Sequence, residues 1–345
     1  MPFFLCKCCV LSMTGQLPLN LFLNMVIIQT IFLIIAMESK MKHFRIPKPQ
    51  INRFLPEGQA QFLIVSPSFT HRSAGVRALY RLCHHLNSAG YPSAVIPIPN
   101  GSIADYSPWF VYGYEGEINN AVVIYPEIIS GNPYEATNVV RWVLNEPGLL
   151  GGDKYYADNE IVFVYDPQKI EIVNTAIKTA IGSERVLWVG VVDPDIIYPD
   201  SKVEKKFDCS FFNKGYSISL QFPLDPSSGI KRIEDLTPDP VSLGNVLRQT
   251  RTLYSYDHYS NILREAAICG CEVRVIDSKG VWHNPEHCDC KLNIVWAPDF
   301  RQNYKSQFQN SSIVYPFISQ LPKSWRIHRR TWFSYLMSLF SDKTF

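Results

Sequence analysis

Short apolar segments alternate with amphipathic helical segments along most of this chain, and this alternation restricts the possible folds more than any other feature. One helical segment, Val76–Ala89, lies between two apolar segments and carries apolar residues at helical spacing. It is followed by Gly90, a residue type that commonly ends helices. The apolar runs suited to buried strands are Gln61–Ser66, Ser93–Ile98, Ala121–Tyr125 and Glu160–Tyr165. Strands and helices that alternate with short connections predict a parallel, doubly wound α/β sheet.

The same pattern continues to the end of the first half and through a second half. We predict a helix at Tyr134–Asn145, closed by Pro147-Gly148, and a strand at Arg185–Val192. The second half is predicted to contain strands at Lys206–Phe212, Thr252–Ser255 and Glu272–Ile276, a weak strand near Ile230–Leu236 and a helix at Val241–Thr250. We therefore expect two Rossmann-like domains, residues 46–204 and 205–298, to face each other across a cleft, followed by a C-terminal helical segment at 299–345.

Residues 254–276 read YSYDHYSNILREAAICGCEVRVI, a polar and aromatic loop that runs into a short helix and then a strand. Ile262, Leu263, Ala266 and Ala267 recur at helical spacing, and the strand follows directly after Cys269-Gly270-Cys271. The first N–H groups of a helix have no partner within the helix, and the helix dipole favours an anion there. This loop is therefore a candidate phosphate site.

Composition excludes several classes of protein. The 345 residues carry a net charge of +2 and a pI of about 8.0, so nothing indicates the strongly basic surface expected of a nucleic-acid-binding protein. Nine cysteines in a chain of this length do not form a disulfide scaffold, and reduced thiols in a cytoplasmic protein are expected.

The N-terminal region, residues 1–45, is either a hydrophobic leader or a membrane segment. The apolar stretch Leu17–Met37 would form a helix of about 31 Å, close to the thickness of the hydrocarbon core. Asn20, Asn24 and Gln29 oppose insertion. If the stretch inserts, the excess of Lys and Arg after it keeps the rest of the chain at the inner, cytoplasmic face. The alternative is that translation begins at Met37 or Met41.

A family resemblance rests on two segments. The turn Ser73-Ala74-Gly75-Val76 opens the first helix, and Glu265-Ala266 is followed by a Cys-Gly turn and a strand. Together they resemble nucleotide-sugar glycosyltransferases of the GT-B fold, in particular the retaining group that includes glycogen synthase and many bacterial polysaccharide transferases. The signature of that group pairs two glutamates with seven residues between them; here Glu265 matches the second, and Asp257 stands at the position of the first.

The resemblance implies an activity, a set of partners and a set of site residues. The implied reaction transfers a hexosyl or deoxyhexosyl group from a nucleotide-sugar donor to a glycan or lipid-linked glycan acceptor, in surface polysaccharide or lipopolysaccharide assembly, with neither metal nor cofactor. Asp257 and Glu265 are the implied catalytic pair, and Glu265 accepts the ribose hydroxyls. The implied donor-binding residues also include Lys214, Tyr259, Ser260 and Asn261, and the residues on the acceptor or phosphate side are His71, Arg72 and Gly75.

Each assignment has a purely structural alternative. Asp257 is well suited to cap a helix, which commonly contributes about 1 kcal/mol. Lys214 before Gly215 is also typical of an exposed turn, and His71 and Arg72 are also typical of a surface loop. A catalytically degenerate GT-B sugar-binding module is therefore an alternative to the enzyme.

Two parts of the chain contain residue types that bind metals. Asp193-Pro194-Asp195 has the Asp-x-Asp form of metal-dependent GT-A transferases, which makes such an enzyme the competing hypothesis. Cys269, Cys271, His283 and the run His287-Cys288-Asp289-Cys290 lack the Cys-x₂₋₄-Cys spacing of zinc sites, so buried thiols are favoured.

The C-terminal stretch 323–345 is basic and aromatic. This composition suits an anionic membrane surface, and packing against the first domain is the alternative.

Overall fold

The computed structural model places most of the chain between residues 58 and 325. It describes residues 45–46, 54–55, 58–101, 107, 109, 111–114, 116–118, 120–285, 299–325 and 327–328. All of them belong to one compact unit, Arg45–Phe345. The predictions for the N-terminal apolar stretch, for His287–Cys290 and for the aromatic residues after 328 concern residues outside these ranges.

The first sheet has five strands, all of them parallel. The strands are β1 (Phe62–Ser66), β2 (Ser93–Pro97), β3 (Val122–Pro126), β4 (Asn138–Val143) and β5 (Ile161–Val164). Their order across the sheet is β2-β1-β3-β4-β5. Helix α1 (Ala74–Ser88) connects β1 to β2 and packs on both, and a short helix α2 (Ile170–Asn174) follows β5.

The second sheet also has five strands and repeats the same order. Its strands are β6 (Phe207–Phe211), β7 (Lys231–Arg232), β8 (Thr250–Ser255), β9 (Glu272–Ile276) and β10 (Trp282–His283), arranged as β7-β6-β8-β9-β10. Only β10 is antiparallel to its neighbour. The helices that connect them are α3 (Tyr216–Gln221), α4 (Ile233–Leu236), α5 (Pro240–Gln249) and α6 (Ile262–Ile268). Two mostly parallel sheets in an α/β chain agree with the predicted fold class.

Minor elements complete the described ranges. Arg45–Ile46 pairs with Gly116–Glu117, and Phe54–Leu55 pairs with Gly113–Tyr114. Short 3-10 turns lie at Pro167–Lys169, Ser183–Arg185, Asn213–Gly215, Pro226–Ser228, Ser311–Ile313 and Lys323–Trp325.

The predicted helix at Tyr134–Asn145 is wrong, because this segment contains strand β4. All six residues of β4 are buried, as expected for a strand with both faces covered in a parallel sheet. The run NVVRWV is rich in β-branched and aromatic residues, which favour strands. Arg141 in its middle is compatible with burial because its guanidinium is paired with Glu160 and bonded to the carbonyls of Ile129 and Gly131.

Two predicted strands are also wrong in part. The segment Arg185–Val192 forms a single bridge, between Val164 and Val186, before it leaves the sheet. Two carbonyls further along the segment accept hydrogen bonds from side chains instead of from a strand. The Val189 carbonyl accepts from the Tyr165 hydroxyl, and the Val191 carbonyl accepts from Arg77. The weak strand at Ile230–Leu236 contains two strand residues and then becomes helix α4.

The C-terminal helices α7 (Phe300–Gln309) and α8 (Val314–Ser319) connect the cores of the two sheets. Phe300 and Tyr304 are buried with the second sheet, whereas Phe317 packs against Phe62 and Phe163 of the first, with its ring tilted to one and edge-on to the other. Arg81 of α1 lies over the Phe308 ring and donates to its carbonyl. No helix within the described ranges has the length and apolar character that crossing a membrane requires.

His85 provides a test of how α1 and the C-terminal segment fit together. The His85 side chain is 1% exposed, with Nδ1 2.9 Å from the Ser311 hydroxyl. Burial foremost, and then the nearby charge of Arg81, lowers the pKa of His85 to about 3. Because the unfolded chain then binds one more proton below pH about 6.5, the free energy of unfolding should decrease as the pH falls towards 3, by at most about 1.4 kcal/mol per pH unit.

The prediction is that His85→Gln removes this contribution. Urea unfolding measured between pH 7.5 and 4.5 should show a shallower loss of stability for the variant than for the wild type. His328→Gln, which changes an exposed histidine, is the matched control and should follow the wild type. Parallel pH profiles for His85→Gln and wild type would contradict this account of His85.

Candidate functional site

The candidate site lies at the carboxyl ends of the parallel strands in both sheets. In each sheet, the connections from two adjacent strands run in opposite directions, between β1 and β3 in the first and between β6 and β8 in the second. Ligands of open α/β sheets bind in the crevice that this reversal creates. The loops after β1, β6 and β8, at residues 67–73, 212–215 and 256–261, contain most of the residues that the sequence singled out.

A pocket of about 230 Å³ opens between these loops and is lined by residues from both sheets. Its wall on the first-sheet side consists of His71, Arg72 and Arg77. The lining residues from the second-sheet side are Phe211, Asn213, Arg232, Ile233, Glu234, Thr237, Leu243, Ser260, Asn261, Ile262 and Glu265. The pocket is therefore rich in charged groups, with some apolar surface from the second sheet.

Glu265, the central residue of the sequence prediction, lines this pocket. Its carboxylate is 1% exposed, and Oε1 accepts from Arg77 Nη1 at 2.5 Å and from Asn261 Nδ2 at 3.1 Å. Oε2 accepts no hydrogen bond from the residues that the structure describes. Oε2 is not enclosed by the protein, so it can accept a hydrogen bond from a hydroxyl-bearing ligand in the pocket.

Arg77, which the sequence analysis missed, is the partner that fixes Glu265. It lies on α1, is 8% exposed, and also donates from Nη1 to the Val191 carbonyl at 3.2 Å. Its Nε is buried without a partner among the described residues. The available signal was a pair of arginines, Arg77 and Arg81, one turn apart on a helix that is otherwise largely apolar.

Asp257 organises the loops rather than presenting a reactive oxygen to the pocket. Its carboxylate accepts from Asn213 Nδ2 at 2.9 Å, from the Lys214 amide at 3.3 Å, from the Tyr259 amide at 2.7 Å and from the Ser260 hydroxyl at 2.6 Å. It is 1% exposed. The acid therefore ties the loop after β6 to the loop after β8, which is closer to the structural alternative than to sugar contact.

Lys214 lies beside the pocket, and its side chain is exposed and absent from the pocket lining. Its charge acts instead on Glu127, which follows β3 of the first sheet and accepts from the Leu144 amide at 2.9 Å. Burial raises the pKa of Glu127, and the charges of Lys169 and Lys214 oppose that rise. The Lys214 side chain is therefore not part of the pocket wall, so the predicted contact between Lys214 and a phosphate stays a prediction.

The three residues before α6 contribute unequally. The Tyr259 amide is already bonded to Asp257, so the prediction that it is a free donor for phosphate is wrong; its ring is 74% exposed. Ser260 and Asn261 line the pocket, and their side chains hold Asp257 and Glu265. Because α6 has only seven residues, its dipole is small.

The loop after β1 reaches across to the second sheet. His71 Nε2 lies 3.1 Å from the Thr237 carbonyl and must donate to it, because a carbonyl oxygen only accepts. Burial foremost lowers the pKa of His71, which favours the neutral ring with its lone pair on Nδ1. Arg72 Nη2 donates to the carbonyls of Glu234 at 3.0 Å and Thr237 at 3.4 Å. Gly75 is not part of the lining, and an added Cβ would make only an ordinary 3.5 Å contact with Leu144.

The proposed Asp-x-Asp metal site is not assembled in the described part of the chain. Asp193 Oδ1 accepts from the Asp195 amide at 3.0 Å, which makes this a local turn, and burial raises the pKa of Asp193. Within the described ranges, no group of three or more His, Cys, Asp or Glu residues is placed to hold a metal ion. Cys269 and Cys271 are buried free thiols, and burial raises their pKa values to about 11 and about 12.

No protein-family model matches this chain, and no curated protein matches its sequence. The pocket and the segment around Glu265 are therefore the features that bear on function.

Gly215 brings the two loops of the second sheet together and gives a test of the site's construction. A Cβ at this position would lie 2.1 Å from the Tyr256 carbonyl oxygen, so Gly215→Ala must separate the loops that Asp257 joins. We expect a loss of about 1–3 kcal/mol, as for overpacked sites, measured by urea unfolding. Gly75→Ala is the matched control; because Gly75 is helical and has room for a Cβ, this variant should be as stable as the wild type or more stable by up to about 1 kcal/mol. Equal effects in the two variants would contradict the close approach at Gly215.

Proposed function

We propose that the chain is a nucleotide-sugar glycosyltransferase of the GT-B type that binds the ribose of its donor at Glu265. The observation that carries the proposal is the placement of Glu265 in a pocket lined by residues from both sheets, with Oε1 held by Arg77 and Asn261 and Oε2 unmatched. A fixed carboxylate with one open oxygen can accept hydrogen bonds from the adjacent hydroxyls of a ribose.

The chemistry of the pocket walls supports a nucleotide-sugar ligand. Arg72, Arg77 and Arg232 bring three positive charges, against the carboxylates of Glu234 and Glu265. Glycosyl transfer releases a nucleoside diphosphate, so the leaving group needs positive charge where its own charge develops. The pocket volume, about 230 Å³, is smaller than that of sites which enclose a drug-sized ligand, about 300–1,000 Å³. We therefore expect the ribose and phosphate groups to lie inside the pocket and the rest of the donor to lie outside it.

In this proposal the residues have different roles from those that the sequence implied. Glu265 binds the donor, and Asp257 is a positioning residue, because its carboxylate is occupied by four donors from the loops after β6 and β8. Asn261 and Arg77 orient Glu265 from two sides. The sugar acceptor, a glycan or lipid-linked glycan in the sequence-based hypothesis, approaches from the first-sheet side.

A sugar-binding module without catalysis is the second candidate. It is favoured by Asp257, the acid at the position of the family's first glutamate, which is buried and fully engaged. Such a module would bind nucleotide sugars at Glu265 but would neither hydrolyse nor transfer them.

Glu265→Gln tests the proposed role. Replacing the carboxylate with an amide keeps the shape but removes the charge-assisted bonds to ribose hydroxyls, each about 1.5–3 kcal/mol, so nucleotide-sugar affinity should fall about tenfold or more. The change also removes the charge that pairs with Arg77, so affinity is compared at a temperature at which the melting curve shows that the variant is folded. Titration calorimetry with a panel of nucleotide sugars measures affinity, and a transfer and donor-hydrolysis assay measures turnover. Glu272→Gln is the control, because Glu272 is exposed at the amino end of β9.

The outcomes separate the candidates. Binding that depends on Glu265 together with turnover supports the transferase. Binding that depends on Glu265 without turnover, over the whole panel, supports the binding module. If Glu265→Gln and Glu272→Gln bind every donor as the wild type does, the site is placed wrongly.

A further inference from the structure

The pocket wall on the first-sheet side carries two arginines that hydrogen bonds hold in place and that still have unused N–H donors. Arg72 and Arg77 both lie at the carboxyl end of β1, in the loop and on the first turn of α1. We infer that this wall is a phosphate subsite, in which Arg72 and Arg77 together hold the diphosphate of a nucleotide ligand. That the ligand is a nucleotide rests on the proposed function. That the wall binds phosphate rests on the positions of the two arginines alone.

Arg72 has N–H donors that make no hydrogen bond to the described residues. A guanidinium offers five N–H donors, and within the described residues only Nη2 of Arg72 is used, towards the Glu234 and Thr237 carbonyls. Nε and Nη1 are left for an anion, while the existing bonds hold the side chain at the pocket. No carboxylate in the described chain lies within ion-pair distance of Arg72, so its charge is unneutralised.

Arg77 contributes the donors of Nη2. Nη1 is shared between Glu265 and the Val191 carbonyl, whereas Nη2 donates to no described residue and, unlike Nε, is not enclosed by the protein. Because Arg77 lines the pocket, Nη2 can donate to an anionic oxygen of a ligand there. Since Glu265 carries the matching unmet acceptor, a ligand with an anionic oxygen close to a hydroxyl satisfies both residues, as the phosphate and ribose of a nucleotide do.

The other cations near the pocket are less suitable. The Arg232 side chain is 50% exposed, its contact with Glu234 Oε2 is 3.4 Å long, and no hydrogen bond to a described residue holds it at the pocket. His71 uses its only N–H on Thr237 when it is neutral and then presents a lone pair, which repels a phosphate oxygen. Lys214 is outside the lining. The two arginines on the first-sheet side are therefore the best placed to bind an anion.

Inorganic pyrophosphate is the probe for this subsite, used with the full-length protein. We expect it to raise the melting temperature of the wild type above the value in sodium chloride of equal ionic strength, and to bind measurably by calorimetry. Arg72→Gln and Arg77→Lys should each weaken pyrophosphate binding about ten- to hundredfold, as expected for loss of charge-assisted hydrogen bonds. Arg251→Gln is the control, because Arg251 is an exposed arginine at the amino end of β8, paired with Asp208.

The inference is overturned if pyrophosphate stabilises the protein no more than sodium chloride does, or if all three variants bind it equally. Arg72 is exposed, so Arg72→Gln decides the matter even if Arg77→Lys does not fold.

A comparison with nucleotide sugars separates this inference from the proposed function. Pyrophosphate binding that depends on the arginines, without any nucleotide-sugar binding that depends on Glu265, would support the subsite and reject the transferase. Nucleotide-sugar binding that depends on Glu265 but is unchanged in Arg72→Gln and Arg77→Lys would reject the subsite alone.

Discussion

The buried ion pair between Arg77 and Glu265 is the contact on which the site depends. Arg77 belongs to the helix after β1 of the first sheet, and Glu265 belongs to the helix after β8 of the second. Removing one member of a buried pair leaves an uncompensated charge, which commonly costs about 3–5 kcal/mol, so each residue requires the other. The pair therefore couples the relative position of the two sheets to the orientation of the carboxylate that faces the pocket.

Around this pair, backbone carbonyls and one further acid complete the junction. The Thr237 carbonyl accepts hydrogen bonds from His71 and Arg72, which follow β1 of the first sheet. The Asp257 carboxylate accepts hydrogen bonds from both loops of the second sheet and so holds them together. Most of these contacts use main-chain groups, which every residue type supplies. Helices α7 and α8 stabilise these polar contacts, because their aromatic residues are buried in the cores of both sheets. Rigid walls with a few unmatched polar atoms are what a selective ligand site requires.

Local sequence patterns were reliable where one periodicity dominated. Strands β1, β2, β3, β5, β6 and β9 and helices α1 and α5 lie within about two residues of their predicted bounds. The prediction failed at Tyr134–Asn145, because a strand buried on both faces has no alternation and its apolar run resembles a buried helix. It also failed for the Tyr259 amide, since which N–H groups stay free depends on an acceptor, Asp257, whose direction is not encoded locally.

Local patterns in the chain were enough to predict the α/β class and most of the strands and helices, and they singled out Glu265, which lines the pocket. These follow from hydrophobic periodicity and turn residues, which act over a few neighbouring positions. The pairing of Arg77 with Glu265, 188 positions away along the chain, and the bonds from the loop amides to Asp257 are visible only in the folded chain. Such pairings depend on how two sheets meet, and no short-range pattern in the chain records that geometry.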